Sequence, residues 1–159
     1  MASIDKIKAA LDSALSGAVL GTDSFRGMDA LRVDASAIVK ICSFLRDNPE
    51  FSFEMLTDLT AVDYLGREKR FEVVYHLYSF KYNTRLRLRA DLGEGEPIQT
   101  VEGVWKAANW LEREVFDLMG ITFAGHSDLR RIMMWEGYEG HPLRKDFPLL
   151  GIPQKAVYR

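Results

Sequence analysis

The sequence predicts an α+β protein in which helices pack a mostly antiparallel sheet and an extended, irregular C-terminal tail follows. Apolar residues recur at helical spacing near the N-terminus and in the middle of the chain, and two neighbouring segments alternate apolar and polar residues as half-buried strands do. Contiguous strands flanked by helices are typical of α+β domains. The periodicity ends after Gly120. We therefore expect an α+β domain over residues 1–125 and a tail over residues 126–159.

Two amphipathic helices are predicted near the N-terminus. The first covers residues 4–15, because its apolar side chains share one face, and Ser3 is placed to cap it. The second runs from about residue 36 to residue 46, where Asn48-Pro49 would stop it. A glycine-rich turn around residues 21–27 and a short apolar segment at residues 30–33 are expected between them.

Strands take over from Phe51, where the apolar period changes to two and an apolar run continues to Leu65. Residues 71–78 and 84–91 alternate in the same way. The short link between them suits a hairpin, and Asn83 tolerates a left-handed backbone. These two strands are therefore expected to pair antiparallel.

A longer helix is predicted after the acidic turn at residues 93–97. Its apolar stripe runs from Val104 to Leu118, and Gly120 is placed as its C-terminal cap. We expect this stripe to lie on the sheet.

Composition excludes several classes of function. The chain has 159 residues, 47% of them apolar, which suits one domain with its own core. The net charge is −2, so the chain has no net positive charge to attract nucleic-acid phosphates and no nucleic-acid partner is expected. No apolar run approaches the ~20 residues that span a bilayer, and the first residues lack a signal-peptide core. We expect no direct membrane span and a cytoplasmic location.

Cys42 is the only cysteine. An iron–sulfur cluster takes several thiolates from its protein, so this chain alone is not expected to hold one. Cys42 shares a helix face with Ile38, Ile41 and Leu45, which favours a buried, inert thiol.

Charged residues cluster near the end of the long helix, at Glu112, Arg113, Glu114 and Asp117. Paired carboxylates can serve general acid–base catalysis. The spacing of four residues between Arg113 and Asp117 instead favours a structural ion network on one helix face. We favour the network and predict no catalytic residue.

Metal binding is not expected. His126, Asp128 and His141 are metal-ligating types, but their spacing matches no compact ligand pattern. No glycine-rich phosphate loop and no Gly-x-Ser-x-Gly elbow occur either.

The tail has the composition of a protein interface. It is rich in Met, Trp, Tyr and Arg, which are enriched where proteins pack together.

Several motifs follow one another in order over roughly residues 53–149. They are Glu112-Arg113-Glu114-Val115-Phe116-Asp117-Leu118-Met119, residues 120–123, Gly125 and His126, Leu129-Arg130-Arg131-Ile132-Met133, residues 140–149, and upstream residues 56–64 and 71–77. Together these motifs resemble the 30 kDa subunit family of respiratory complex I, the C subunits of NADH:quinone oxidoreductase.

The resemblance implies a non-catalytic subunit of the hydrophilic arm of a proton-translocating complex. The chain would hold no cofactor, while FMN, iron–sulfur clusters and quinone would belong to the assembled complex. Its partners would be the quinone-site subunit and the subunit with the terminal cluster, on the cytoplasmic side of the bacterial inner membrane. The residues expected to bind partners are Arg130, Arg131, Trp135, His141, Arg144, Lys145 and Phe147.

Two alternatives remain open. One is the equivalent subunit of a membrane-bound, energy-converting hydrogenase, whose family shares the Glu-Arg-Glu helix and the tail. The other is an independent acid–base enzyme that uses Glu112 and Glu114, which would show activity in the isolated chain.

Overall fold

A computed structural model describes residues 3–152, and its elements follow the predicted α+β class. The three helices are α1 (Ile4–Ala14), α2 (Ile38–Asp47) and α3 (Ala108–Met119). The strands are β1 (Val19–Phe25), β2 (Met28–Val33), β3 (Met55–Asp63), β4 (Phe71–Ser79), β5 (Thr84–Leu92), β6 (Ile98–Gln99) and β7 (Phe123–Ala124).

Five strands form the main sheet in the order β1-β2-β5-β4-β3. Every neighbouring pair is antiparallel except β2 with β5, which is parallel. The short strands β6 and β7 pair parallel beside it. The mostly antiparallel sheet predicted from the sequence is confirmed.

The core lies on one face of this sheet. Side chains from α1, α2 and α3 form a single apolar cluster with the inward residues of β2 to β5. Tyr75, Leu88 and Ile41 have no exposed surface in this cluster. Burying a side chain of that size contributes about 1.5–3 kcal/mol, which is how the amphipathic helices are held on the sheet. We call the opposite side, which carries Arg85, Arg87, Arg89, Glu72, Val74, His76 and Tyr78, the outer face.

The predicted caps and hairpin are confirmed, because they depend on local signals. Ser3 accepts a hydrogen bond from the Lys6 N–H at the start of α1, as predicted. Gly120 ends α3 with φ of 75°, in the left-handed region that favours glycine. In the hairpin between β4 and β5, Asn83 has φ of 47°, also as predicted.

The expected turn over residues 21–27 is wrong. Residues 19–25 form strand β1, which pairs with β2 through a tight turn at Arg26-Gly27, where φ is 52° and 75°. β1 is an edge strand whose residues are mostly exposed, so it lacks the apolar alternation that marks a half-buried strand.

Two element starts are also later than predicted. Residues 51–54 are not part of β3, because Ser52 has φ of 45° and breaks the extended run. Helix α3 begins at Ala108, and the preceding residues form turns in which the buried Trp105 ring N–H donates to the Phe53 carbonyl at 3.2 Å. None of the helices in residues 3–152 has the length and apolarity needed to cross a membrane.

Candidate functional site: the C-terminal segment and its anchors

The C-terminal segment, defined here as residues 126–152, forms turns without a helix or strand. It packs first against the C-terminal end of α3, at Asp117, and then against the edge of the main sheet where β3 ends at Asp63 and β4 begins after Arg70. The division of the chain at residue 125 stays a prediction, and residues 153–159 of the expected tail lie outside the described residues.

Asp117 is the first anchor of this segment. The carboxylate has no exposed surface and accepts the backbone N–H groups of Ile132, Met133 and Met134 at 2.9, 2.7 and 2.8 Å. Its other oxygen accepts from Arg131 at 2.6 Å. Burial by itself would raise the pKa of Asp117, but these hydrogen bonds outweigh it and the pKa lies below its usual value. Asp117 therefore stays ionised and fixes the turn at residues 131–134.

The end of helix α3 is capped by the same segment. A helix leaves its last carbonyls without partners inside the helix. Here the carbonyl of Asp117 is 2.9 Å from His141 Nδ1, that of Leu118 accepts from the Leu143 N–H at 3.0 Å, and that of Met119 accepts from Arg144 at 2.7 Å. The segment thus replaces the water that would otherwise hydrate the helix end.

Gly120 makes this cap possible. A Cβ atom added at Gly120 would lie 2.6 Å from the His141 ring, closer than side chains tolerate. The glycine therefore serves both the left-handed backbone and the close approach of His141.

Arg70 and Asp63 form the second anchor. Arg70 is 5% exposed and makes two hydrogen bonds of 2.9 Å to Asp63, which is 3% exposed. The same guanidinium donates to Glu94 at 3.1 Å and to Asp146 at 2.7 Å, and Asp63 also accepts the Lys145 N–H at 2.8 Å. The bond from Arg70 holds the pKa of Asp63 below its ordinary value. This paired charge ties residues 145–146 to the sheet.

Glu112 is a buried carboxylate of a different kind. It accepts from the Thr100 hydroxyl at 2.5 Å and from the Val101 N–H at 2.8 Å, and it has no exposed surface. Burial raises the pKa of Glu112 above its ordinary value, because these bonds do not fully replace water. It joins the start of α3 to the loop that follows β6.

His126 lies beside this carboxylate. Its Nδ1 accepts the Asp128 N–H at 3.0 Å, which leaves Nε2 to donate to the Asn109 carbonyl at 3.1 Å. Nε2 is 3.9 Å from Glu112 and 3.7 Å from Glu102. His141 is bonded elsewhere, at the end of α3. Within residues 3–152 no group of three or more His, Cys, Asp or Glu side chains is arranged to hold a metal ion.

The four charges at the end of α3 do not form one network, which corrects that interpretation. Asp117 pairs with Arg131, whereas Arg113 lies 3.8 Å from Asp128 and stacks on Trp110. Glu114 is exposed and has no ion pair among the described residues. Buried carboxylates form their bonds where backbone N–H groups converge, and helix spacing alone does not reveal those groups.

Large apolar side chains of the segment are exposed. Met133, Trp135 and Leu143 are each more than half exposed. Trp135 packs edge-on against Tyr138 with ring centroids 4.7 Å apart, and Tyr138 stacks on Phe147 at 6.5 Å. The segment therefore presents aromatic and apolar side chains that residues 3–152 leave exposed.

The residues expected to bind partners fall into two groups. Arg131, His141 and Arg144 are bonded to this chain's own α3 and Glu94, so they hold the segment in place. Phe147 packs onto Gly140 and Tyr138. The exposed members are Arg130, Trp135 and Lys145. Whether any of the seven touches a partner stays a prediction.

Sequence reasoning missed the second anchor. Arg70 stands at the start of a strand among charged residues and looks solvated. The signal that could have found it is Asp63, an acidic residue that ends an apolar strand on its buried side. A buried carboxylate needs an ion pair or converging hydrogen-bond donors, so a cation such as Arg70 is one of the partners to search for at this position.

Taken together, these features define a class: a small α+β domain that holds an irregular, aromatic C-terminal segment firmly on its surface. The family model described as respiratory-chain NADH dehydrogenase, 30 Kd subunit, matches residues 31–153. The chain belongs to this family, and the predicted resemblance is confirmed.

Individual relatives agree with the family. The C subunit of NADH-quinone oxidoreductase from Xanthobacter autotrophicus is 47% identical over 149 residues, which cover 94% of this chain and 71% of the relative. The solved trypsin-resistant fragment (1–134) of Nqo5 is 29% identical, with a TM-score of 0.64 over 77% of this chain and 98% of that chain. A chain of the membrane-bound sulfane sulfur reductase, an archaeal respiratory membrane complex, is 27% identical, with a TM-score of 0.68 over 92% and 85%.

Proposed function

We propose that this chain is a non-catalytic subunit of the hydrophilic arm of a proton-translocating NADH:quinone oxidoreductase. In this role it holds neighbouring subunits in position while electrons pass from NADH through FMN and iron–sulfur clusters, held by those neighbours, to quinone. It sits peripherally on the cytoplasmic side of the bacterial inner membrane. The supporting observation is family membership over residues 31–153 combined with an anchored segment whose large apolar side chains are exposed among the described residues.

The C-terminal segment is the proposed contact with the quinone-site subunit and the terminal-cluster subunit. Aromatic residues and arginine supply much of the binding energy at protein interfaces, and a rigid segment loses little entropy when it docks. Trp135 is half exposed and already fixed by Tyr138, so it suits a partner pocket. Arg130 and Lys145 are exposed and suit partner carboxylates.

Co-purification tests this proposal. We expect Trp135→Ala to lower the amount of this chain recovered with the neighbouring subunits, since losing one good anchor costs about 2 kcal/mol of binding free energy. Glu136→Ala, next to it and exposed, is the matched control and should leave recovery unchanged. Recovery of the Trp135→Ala chain at the level of the unmodified chain would count against the segment as the contact.

The proposed absence of a cofactor is tested separately. The purified chain should contain no stoichiometric iron, zinc or flavin by elemental analysis and absorbance. Stoichiometric amounts of any of the three would contradict the proposal.

A second candidate is the equivalent subunit of a related membrane complex, such as an energy-converting hydrogenase. The likeness to a chain of an archaeal respiratory membrane complex favours it. Mass spectrometry of the native assembly separates the two, because a NADH-oxidising complex contains a flavin-binding subunit and the alternative contains a different catalytic partner.

A further inference from the structure

One end of the outer face carries a row of apolar side chains that crosses the sheet. Phe25 and Met28 face each other across β1 and β2, and Met55 faces Tyr78 across β3 and β4. Phe80 packs edge-on against Tyr78, with ring centroids 5.0 Å apart. We call these five residues the distal row. Phe25 and Phe80 are 66% and 64% exposed, although phenylalanine side chains are usually buried.

Two arginines, Arg85 and Arg87, lie within this row. On the same face, Arg89 forms ion pairs with Glu72 at 2.8 Å and with Asp23 at 2.9 Å, so this face does supply carboxylates to an arginine. By contrast, no carboxylate in residues 3–152 forms an ion pair with Arg85 or Arg87.

Arg87 is the more unusual of the two arginines. Among residues 3–152 its guanidinium hydrogen-bonds the Met28 sulfur, at 3.3 Å, and its Nε is buried without an acceptor. Nearby, Met28, Thr57, His76, Arg85 and Arg87 line a cleft. A guanidinium in such a position is better satisfied when an external carboxylate enters the cleft.

We propose that the distal row is a second protein-docking surface, which takes a partner segment that carries an Asp or Glu side chain flanked by apolar residues. This inference rests on the proposed function, since the partner belongs to the same assembly. The composition of Phe, Tyr, Met and Arg matches that of protein interfaces.

The distal row is separate from the C-terminal segment. The segment binds where β3 ends and β4 begins, at Asp63 and Arg70, whereas the row lies where β3 begins and β4 ends, at Met55 and Tyr78. Strands of nine residues place these ends about 26 Å apart, at ~3.3 Å per residue. The chain would therefore hold two neighbours at once.

A protein fits this surface better than a membrane does. Surfaces that bind anionic lipid carry clusters of about four to eight basic residues. The cleft instead also contains two aspartates, Asp29 and Asp58, which lie beyond ion-pair distance of the two arginines, so its formal net charge is close to zero. Such a mixed lining favours a specific carboxylate over a diffuse anionic surface.

Thiol labelling tests the proposal in the assembled complex. Cys42 is buried and burial raises the pKa of its thiol, so a cysteine introduced by Phe80→Cys is the reactive thiol of this chain, and its labelling is read from the mass of this chain after the subunits are separated. We expect this cysteine to react at least tenfold more slowly in the detergent-purified complex than in the free full-length chain. Equal rates in a chain that co-purifies would overturn the distal row and leave the proposed function standing. An unmodified chain that fails to co-purify with the neighbouring subunits would overturn both.

Charge reversal then tests the carboxylate. Adding Arg85→Glu and Arg87→Glu to the Phe80→Cys chain should restore fast labelling in the complex. The control is Lys40→Glu with Lys106→Glu, which changes the charge equally at exposed positions in a helix and a turn and should not restore it. If the first pair unfolds the chain by circular dichroism, Arg85→Gln with Arg87→Gln replaces it. Protection that is unchanged by the reversal, or that appears only in vesicles and not in detergent, would overturn the proposal.

Discussion

At the scale of single residues, Glu112 and Asp117 show how one side-chain type can have opposite electrostatic roles. Both carboxylates are fully buried on α3 and lie five positions apart. Asp117 receives three backbone N–H groups and an arginine, so its pKa is lowered despite burial. Glu112 receives one N–H and one hydroxyl, so burial prevails and its pKa is raised. The number of converging donors decides the sign.

Asp117→Asn is expected to destabilise the chain. The amide cannot accept three N–H groups and pair with Arg131, and leaving such donors unsatisfied costs about 2–3 kcal/mol in the free energy of unfolding. Glu114→Gln, on an exposed part of the same helix, should change it by less than ~0.5 kcal/mol. Chemical unfolding at pH 7 measures both changes, and equal values would refute the anchoring role of Asp117.

The pH dependence of this loss has a defined sign. Because the folded pKa of Asp117 lies below its unfolded value of ~3.9, its stabilisation is present above that pH and is lost as the pH falls through the folded value. The difference between the unmodified chain and Asp117→Asn should therefore shrink on acidification below ~4. A difference that grows in acid would contradict the lowered pKa.

Glu112→Gln is expected to show the opposite trend. A glutamine mimics the protonated acid and keeps an acceptor for Val101 and a donor for Thr100. Because the folded pKa of Glu112 is raised, the stabilisation by its protonated form is full below ~4.3 and is lost as the pH rises through the folded value. The variant should thus match the unmodified chain near pH 4 and exceed it in stability at pH 7–8, measured by unfolding at each pH. If the free energy of unfolding of the variant, minus that of the unmodified chain, is lower at pH 8 than at pH 4, the raised pKa of Glu112 is contradicted.

At the scale of elements, the end of α3 depends on a segment that is distant in sequence. Gly120→Ala tests this dependence, because Gly120 and Gly27 share φ of 75° but differ in surroundings. Nothing lies within 4 Å of a Cβ at Gly27, whereas at Gly120 it would meet His141 and Arg144. Gly27→Ala should cost about 1 kcal/mol from the backbone alone, and Gly120→Ala clearly more.

The measurement for this glycine pair is thermal unfolding together with limited proteolysis. Gly120→Ala should speed cleavage within residues 135–150, since His141 and Arg144 lose their places on the helix end. Gly27→Ala should not change it. Equal costs and equal cleavage would show that the segment does not depend on Gly120.

The elements divide clearly into those that local sequence predicts and those that it does not. Ser3, Gly120 and Asn83 act within a few residues of themselves, so the caps and the hairpin could be predicted. Strand β1 could not be predicted, because most of its residues are exposed to solvent and its sequence does not alternate apolar and polar residues. The long-range partners of Asp63 and Asp117 are 82 and 15 to 17 residues away, and no periodicity connects them.

At the scale of the whole molecule, the two anchors hold one continuous segment. Asp117 fixes residues 131–134, and Arg70 with Asp63 fixes residues 145–146, so the chain between them is closed at both ends. Once one anchor is lost, the shared segment can leave the surface, so the loss of the other anchor removes contacts that are already weakened. The anchors should therefore be thermodynamically coupled although they lie on different elements.

A double-mutant cycle tests this coupling. Asp117→Asn and Arg70→Gln together should reduce the free energy of unfolding by about 1 kcal/mol less than the sum of the single losses, since the second substitution acts on a segment that is already released. The matched pair is Asp117→Asn with Arg89→Gln, because Arg89 bonds Glu72 on the outer face and does not touch the segment. That pair should be additive within ~0.5 kcal/mol. Additivity in both pairs would mean that the anchors stabilise separate regions. The C-terminal segment would then consist of two independent surface turns, and it could not present Trp135 to a neighbour as one rigid unit.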